Sequence, residues 1–272
     1  MPGRRADVSQ PDDTTALTDE AFWDAYWRQL KLPVAADYSR ARPYEKEILA
    51  VFGRFVDHGA GGRAVEIGGA PGGYLAYIAR TFGYEAHAID SSPVGCGKLK
   101  ENFQLLDLPV TVYCRDALAG DLSDLPRFDL VYSLGLIEHF ANPLPMIRKH
   151  VELAKPGGLI VLGLPNFLGL SRPILKLTRP ETLGKHNLRT MDVRTWVVFE
   201  HELGLEVLFR GYVGGWEPRI YAMRQHDLRS RLVNFPIRAA ARVMDSIGPA
   251  HRWNSRAWSG YAMGVYRTPG AP

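Results

Sequence analysis

Ala64-Val65-Glu66-Ile67-Gly68-Gly69-Ala70-Pro71-Gly72-Gly73-Tyr74 is the stretch that decides the fold of this 272-residue chain. It begins as a short buried strand that carries an acid, continues as a glycine-rich turn and enters a helix near Gly73. Glycines let the backbone approach a ligand closely, and the start of a helix presents free N–H groups. The stretch therefore predicts a strand, turn and helix that together hold a ligand.

Short apolar strands alternate with amphipathic helices on the C-terminal side of this turn. We expect strands at Ala64–Ile67, Glu85–Ile89, Val110–Cys114, Phe128–Leu134, Leu159–Leu164, Leu205–Val213 and Tyr261–Tyr266. This alternation predicts an α/β fold, a doubly wound and mostly parallel seven-stranded sheet with helices on both faces. Ligands of such sheets bind at the carboxyl ends of the strands. The last strand is expected to run antiparallel to the sixth.

Composition shifts divide the chain into five segments. They are a flexible tail at 1–18, a helical cap at 19–62, the sheet-forming core at 63–215, an Arg-rich helical insertion at 216–257, and the last strand with its tail at 258–272. In the cap, Thr18 is expected to begin an aromatic helix that docks on the core or covers a substrate. The stretch Phe167 to Arg189 is expected to be irregular, and Met191 to Leu203 to be a helix.

The overall composition is that of a globular protein with 46% hydrophobic and 23% charged residues. A net charge of +4 is compatible with anionic ligands and does not demand nucleic acid or a membrane. Cys96 and Cys114 are too few for a disulfide framework or a metal quartet, and we assign no residue to a metal. The sequence shows no signal peptide and no segment long enough to span a bilayer, so we expect a cytoplasmic protein with reduced cysteines.

Three acids follow successive strands at their carboxyl ends: Glu66, Asp90 and Asp116. A carboxylate after the second strand can accept hydrogen bonds from two ribose hydroxyls. Three acids suit an adenosine with a cationic tail and would repel a pyrophosphate. The alternative is purely structural, with Glu66 satisfied by backbone amides and the two aspartates capping turns.

The glycine turn Val65 to Gly72 resembles motif I of class I S-adenosylmethionine-dependent methyltransferases. Asp90, Asp116, Phe128-Asp129-Leu130-Val131-Tyr132-Ser133 and Lys155-Pro156-Gly157-Gly158-Leu159 resemble later motifs of that family in the same order. Leu136-Ile137-Glu138-His139-Phe140, followed by Pro165-Asn166, looks most like small-molecule enzymes related to the ubiquinone-pathway O-methyltransferases. The resemblance implies a Rossmann-like methyltransferase fold and S-adenosylmethionine as the cofactor.

The resemblance also implies roles for single residues. Gly68, Ala70 and Gly72 would line the methionine part of the cofactor, although the family usually has glycine where Ala70 stands. Glu66 would orient the ammonium group, Asp90 would hold the ribose and Asp116 would meet adenine. Arg42 and Tyr44 are weaker candidates for the cofactor carboxylate.

Two histidines are candidates for a general base. An oxygen nucleophile must lose its proton, and a histidine with a pKa near the operating pH is the usual acceptor. His139 follows the fourth strand, and His186 lies in the long stretch expected above the strand ends. For both residues the alternative is a histidine that only satisfies local hydrogen bonds.

Three other functions compete with methylation of a small molecule. RNA methylation is disfavoured because the chain lacks the lysine and acid set of the ribosomal-RNA 2′-O-methyltransferases, so we expect no nucleic-acid partner. A nicotinamide dehydrogenase is disfavoured by Glu66 and Pro71 within the turn. A non-catalytic scaffold or a membrane-surface protein is a third option, which Pro236 weakens by interrupting the Arg-rich amphipathic insertion. We expect methyl transfer to a small molecule, with a hydroxyl oxygen as the first choice of acceptor and nitrogen or carbon behind it.

Overall fold

The computed structural model describes residues 16–58, 61–223, 228–247 and 252–270. Its helices are α1 (Glu20–Arg28), α2 (Pro43–Phe55), α3 (Gly73–Phe82), α4 (Pro93–Leu105), α5 (Leu144–Leu153), α6 (Ser171–Thr178), α7 (Pro180–Gly184), α8 (Val197–Glu202) and α9 (Leu228–Ser246). Its strands are β1 (Arg63–Ile67), β2 (Glu85–Asp90), β3 (Thr111–Cys114), β4 (Phe128–Leu134), β5 (Ala154–Pro165), β6 (Glu206–Trp216) and β7 (Ser259–Arg267). Short 3₁₀ turns lie at Ile137–His139, Val193–Trp196 and Pro218–Tyr221.

The strands form one seven-stranded sheet in the order β3-β2-β1-β4-β5-β7-β6. The first five strands of this order are parallel, and β7 pairs antiparallel with both β5 and β6. The expected fold class and the antiparallel last strand are confirmed. Because Glu66 pairs with Ala88 on one side and Tyr132 on the other, the carboxyl ends of β1, β2 and β4 lie side by side.

Helices bury both faces of the sheet, and β1 shows why the strands are apolar without alternation. Ala64 belongs to an apolar cluster on one face with Phe52, Leu75 and Phe103. Val65 belongs to a second cluster on the opposite face, which contains Trp196.

The stretch expected to be irregular, Phe167 to Arg189, instead contains the two short helices α6 and α7. The expectation was wrong because Pro173 and Pro180 were interpreted as breakers. Both prolines lie in the first turn of a helix, where their missing N–H has no intrahelical partner to lose.

Two other helical boundaries differ from expectation. Asp19, and not Thr18, caps α1, since its carboxylate accepts the N–H of Phe22 at 2.8 Å. The expected helix from Met191 to Leu203 begins instead as the 3₁₀ turn at Val193–Trp196 and becomes α-helical only at Val197. Asp192 forces this late start by accepting the N–H of Arg194.

The Arg-rich insertion contains one long helix, α9, that continues through Pro236. Its buried residues are Ser230, Asn234 and Ala241, whereas Leu232 and Phe235 are exposed. The proline therefore does not interrupt the helix, and the sequence argument against a membrane-surface role is lost, although that role itself stays a prediction. Arg224 lies outside the described residues.

The predicted tail is only partly described. Residues 1–15 lie outside the described residues, but Ala16 forms a β-bridge with Phe140 and Leu17 donates its N–H to the carbonyl of His139 at 2.7 Å. Residues 16–18 therefore belong to the wall of the site described below. Across the described ranges, no helix combines the length and the apolar character needed to cross a bilayer.

Candidate active site

A cavity of about 1590 Å³ opens at the carboxyl ends of β1, β2 and β4. The glycine turn and the ends of these strands form its floor, and α1 with residues 33–45 forms its roof. The cavity is thus where an open parallel sheet is expected to bind a ligand.

The glycine turn requires glycine at two positions. Gly68 and Gly72 have φ values of +69° and +82°, in the left-handed region that disfavours other residues. A Cβ on Gly72 would stand 2.7 Å from the ring of Phe103, so α4 packs directly on the turn. Ala70 is buried at the centre of the turn, where its methyl group faces Gly95 at the start of α4.

Glu66 and Asp90 are buried beneath the turn and line the cavity. Glu66 accepts a hydrogen bond from the hydroxyl of Tyr132 at 3.0 Å, and burial raises the pKa of its carboxyl to about 8. Asp90 accepts the N–H groups of Ala70 at 3.1 Å and Ser92 at 2.9 Å, and burial also raises its pKa. Asp90 thus braces the backbone of the turn, and both carboxylates keep further lone pairs for a ligand.

Asp116 lies at the rim of the same cavity, next to Ala117. It is exposed, and its carboxylate accepts the N–H of Leu118 at 2.8 Å. The turn-capping alternative is therefore observed, while contact with adenine stays a prediction.

Of the two residues Arg42 and Tyr44, only Tyr44 lies at the cavity. Tyr44 lines the cavity, whereas Arg42 caps α2 and pairs with Glu45, with 2.6 Å between Nη2 and Oε1. Arg40, two residues before Arg42, lines the cavity instead, and sequence reasoning missed it. Binding of a cofactor carboxylate by Arg42 stays a prediction.

The aromatic helix α1 is attached to the cofactor side of the cavity. Asp24 accepts the hydroxyl of Ser92 at 2.5 Å, so the helix is joined to the turn that Asp90 holds. Trp27 packs on Gly95 so closely that a Cβ there would stand 2.9 Å from its ring. Its buried indole N–H has no hydrogen-bond acceptor among the described residues.

His139 and His186 lie side by side with ring centroids 4.5 Å apart. Nδ1 of His139 lies 2.9 Å from the carbonyl of Lys185, and Nδ1 of His186 lies 2.5 Å from that of Thr182. His139 lines the cavity, and Trp23 packs its ring edge-on against the imidazole at 5.0 Å. Burial lowers the pKa of both histidines, that of His139 to about 4. Sequence reasoning missed Glu138 beside them, which is buried.

The residues present fit S-adenosylmethionine. Two buried carboxylates suit an ammonium group and a ribose diol, and Gly68 and Gly72 put no side chain between the backbone of the turn and the cavity that they line. The candidate positions Gly68, Ala70, Gly72, Asp116 and Tyr44 line this same cavity.

Comparison with known proteins gives a consistent result. The methyltransferase domain family matches residues 27–210. The chain is 27% identical over 154 residues to the chloroplastic tocopherol O-methyltransferase of Arabidopsis thaliana, covering 56% of this chain and 40% of that protein. It is 29% identical over 160 residues to a ubiquinone biosynthesis O-methyltransferase of Xanthomonas campestris, covering 57% and 60% respectively. The chain thus spans about half the length of these curated relatives.

Solved structures agree on the fold. One of them is an S-adenosylmethionine-dependent methyltransferase from Thiobacillus denitrificans in complex with S-adenosylhomocysteine. It superposes with a TM-score of 0.53 at 17% identity, covering 85% of this chain and 96% of that one.

Proposed function

This chain belongs to the class I S-adenosylmethionine-dependent methyltransferases, and we propose that it transfers a methyl group to a hydroxyl oxygen of a small-molecule acceptor. The observation that carries the proposal is the single cavity that joins Glu66 and Asp90 at one end to His139 and Trp23 at the other. A cavity that binds both reactants can align the acceptor with the methyl group, and this alignment supplies a large part of the rate enhancement.

The cofactor end is formed by the glycine turn and its acids. We assign the ribose to Asp90 and the ammonium group to Glu66, whose buried carboxyl gains a cationic partner when the cofactor binds. We assign the adenine to Asp116 and Ala117 and the methionine part to Tyr44, because all three residues line this cavity.

The acceptor end is largely apolar and aromatic. Trp23 and Tyr26 of α1 line the cavity together with Leu136 and Phe140. The curated relatives are named for tocopherol and ubiquinone biosynthesis and are O-methyltransferases. An acceptor with an apolar body and a ring hydroxyl therefore fits this end best.

The bound cofactor supplies a methyl carbon that its sulfonium already activates. The chain's own task is to align the acceptor oxygen with that carbon and to exclude water. Removal of the hydroxyl proton by His139 or His186 stays a prediction. A base acts best when its pKa lies near the operating pH, and the lowered pKa of His139, about 4, makes it a weak proton acceptor.

Calorimetry with S-adenosylmethionine is the first test, and we expect saturable binding of one cofactor per chain. The second measures methylated product by mass spectrometry with a long-chain alkylated catechol as acceptor and the same compound with its hydroxyls blocked as control. Absence of cofactor binding by the folded protein would overturn the enzymatic proposal. Methylation of the blocked compound would overturn the assignment to oxygen.

A further inference from the structure

We propose that Glu138, His139 and His186 form a binding site for one divalent first-row transition-metal ion, such as Zn²⁺ or Mn²⁺, at the acceptor end of the cavity. One ligand atom from each residue lies within 4.8 Å of the other two. The inference rests on the proposed function, because the ion is assigned to the acceptor hydroxyl, but the site is argued from its own geometry.

Two chain segments are joined so that the three side chains stay together. The N–H of Asn187 donates to the carbonyl of Glu138 at 2.6 Å, and its side-chain amide donates to the carbonyls of Phe140 and Ala141 at 3.1 and 2.9 Å. The 3₁₀ turn after β4 and the residue after α7 are thereby held at a fixed spacing. A metal site requires this kind of rigid support.

Both imidazoles present their Nε2 atoms as ligands. The two Nδ1 atoms lie against the backbone carbonyls of Lys185 and Thr182, and a carbonyl can only accept, so each Nδ1 carries the proton. In the neutral ring the lone pair is then on Nε2. Metal-bound histidines commonly donate their second N–H to a carbonyl in this way, which fixes the tautomer and the ring orientation.

The surroundings of Glu138 are a second indication of a bound cation, independent of the spacing of the three side chains. Its side chain is 1% exposed, and its Oε2 atom has no hydrogen-bond partner among the described residues. Its Oε1 atom lies 4.0 Å from Nε2 of His139. A buried carboxylate oxygen that no donor reaches is costly, and a bound cation removes that cost.

The ligand set selects the class of ion. Two imidazole nitrogens and one carboxylate oxygen suit zinc, manganese, iron or cobalt, whereas calcium and magnesium prefer oxygen ligands throughout. Three protein ligands leave further coordination positions open, as in catalytic sites. His139 lines the cavity, and so does Gly135, whose Cβ, if present, would stand 3.6 Å from Oε1 of Glu138.

A cation at this position would activate the acceptor hydroxyl directly, without a histidine as general base. It would lower the pKa of the acceptor hydroxyl, so that the proton leaves to water before the oxygen attacks. The oxygen then forms a bond to the methyl carbon while the carbon–sulfur bond breaks, giving the methyl ether and a neutral thioether. No oxidant or reductant is needed.

The test is titration of the chelator-treated, full-length protein with Co²⁺, followed by its visible absorption, and with Zn²⁺ by calorimetry. We expect one ion per chain and the visible bands of cobalt bound to nitrogen and oxygen. Glu138→Gln and His186→Gln should each weaken binding at least tenfold. The matched control His201→Gln changes an exposed histidine outside the cluster and should bind as wild type does.

Two outcomes would overturn the metal site. One is a folded wild-type protein that binds no Co²⁺ or Zn²⁺ stoichiometrically. The other is binding that all cluster variants retain. Methyl transfer that continues undiminished in chelator would also overturn it while leaving the proposed function intact. Conversely, stoichiometric Co²⁺ binding without S-adenosylmethionine binding would support the site and overturn the function.

Discussion

At the scale of single residues, Glu66 makes cofactor binding depend on pH. Burial raises the pKa of its carboxyl in the cofactor-free protein to about 8, and pairing with the cofactor ammonium requires the charged form. Binding must then release a proton below pH 8. We expect affinity, measured by calorimetry, to rise by up to about tenfold per unit between pH 6 and 7. Glu66→Gln should bind weakly and lose this slope; a slope that persists in the variant contradicts the assignment.

Asp90 and Asp116 form a matched pair because both accept backbone N–H groups but only Asp90 is buried. Asp90→Asn places an amide against two N–H donors, so we expect it to lose about 1–3 kcal/mol of unfolding free energy. Asp116→Asn should stay within about 0.5 kcal/mol. Urea denaturation measures both. If the two variants lost equal stability, Asp90 would not be the brace of the turn.

The sequence was enough to predict which residues at the strand ends line the cavity. It was not enough to predict the contacts that surround each of them. The cavity residues Glu66, Asp90 and His139 were identified because strand ends converge at one edge of a parallel sheet. Arg40 and Glu138 were missed. Which of two nearby arginines reaches the cavity depends on the pairing of Arg42 with Glu45, and the lack of donors around Glu138 depends on tertiary packing.

At the scale of elements, we expect substitutions on the buried face of helix α9 to lower stability and those on its exposed face to leave it unchanged. Asn234 is buried and exchanges hydrogen bonds with both backbone groups of Met223, at 2.8 and 3.0 Å. Asn234→Ala should therefore cost about 1–3 kcal/mol of unfolding free energy, since these groups lose their partner. Phe235 is 73% exposed, so Phe235→Ala should change stability by less than about 0.5 kcal/mol. Chemical denaturation tests the pair, and a large loss from Phe235→Ala would show that this face is covered.

The elements also show where sequence patterns succeed and fail. All seven strands lie where the sequence predicts them. The central strands are buried on both faces and are therefore recognised as continuous apolar runs. The helices α6, α7 and α9 each contain proline, which a pattern interprets as an end. In α6 and α7 the proline lies in the first turn, where it does not end the helix. Nothing in the structure explains how α9 accommodates Pro236.

At the scale of the whole molecule, few contacts hold α1 over the cavity, whereas α2 of the same predicted cap is packed into the core through Ile48 and Phe52. The helix α1 has no buried residue of its own and is held by Asp24 on Ser92 and by its tryptophans on Gly95 and His139. Elements with so little burial open at low free energy in the absence of a ligand. Within the segment 19–62 that the sequence predicts as a cap, α1 is therefore the part that we expect to open, which is a statement about its stability.

Hydrogen–deuterium exchange tests that statement. A cofactor that fills the space beneath α1 would contact Trp27 and stabilise the closed arrangement, because a ligand that binds one conformation increases its population. We expect S-adenosylmethionine to slow amide exchange in Glu20–Arg28 while exchange in Val197–Glu202, which has no residue lining the cavity, stays unchanged. Trp27→Ala should reduce the protection of α1 and weaken binding of the cofactor together. Full protection of α1 without cofactor, or equal protection of both helices, would mean that α1 is a fixed part of the core.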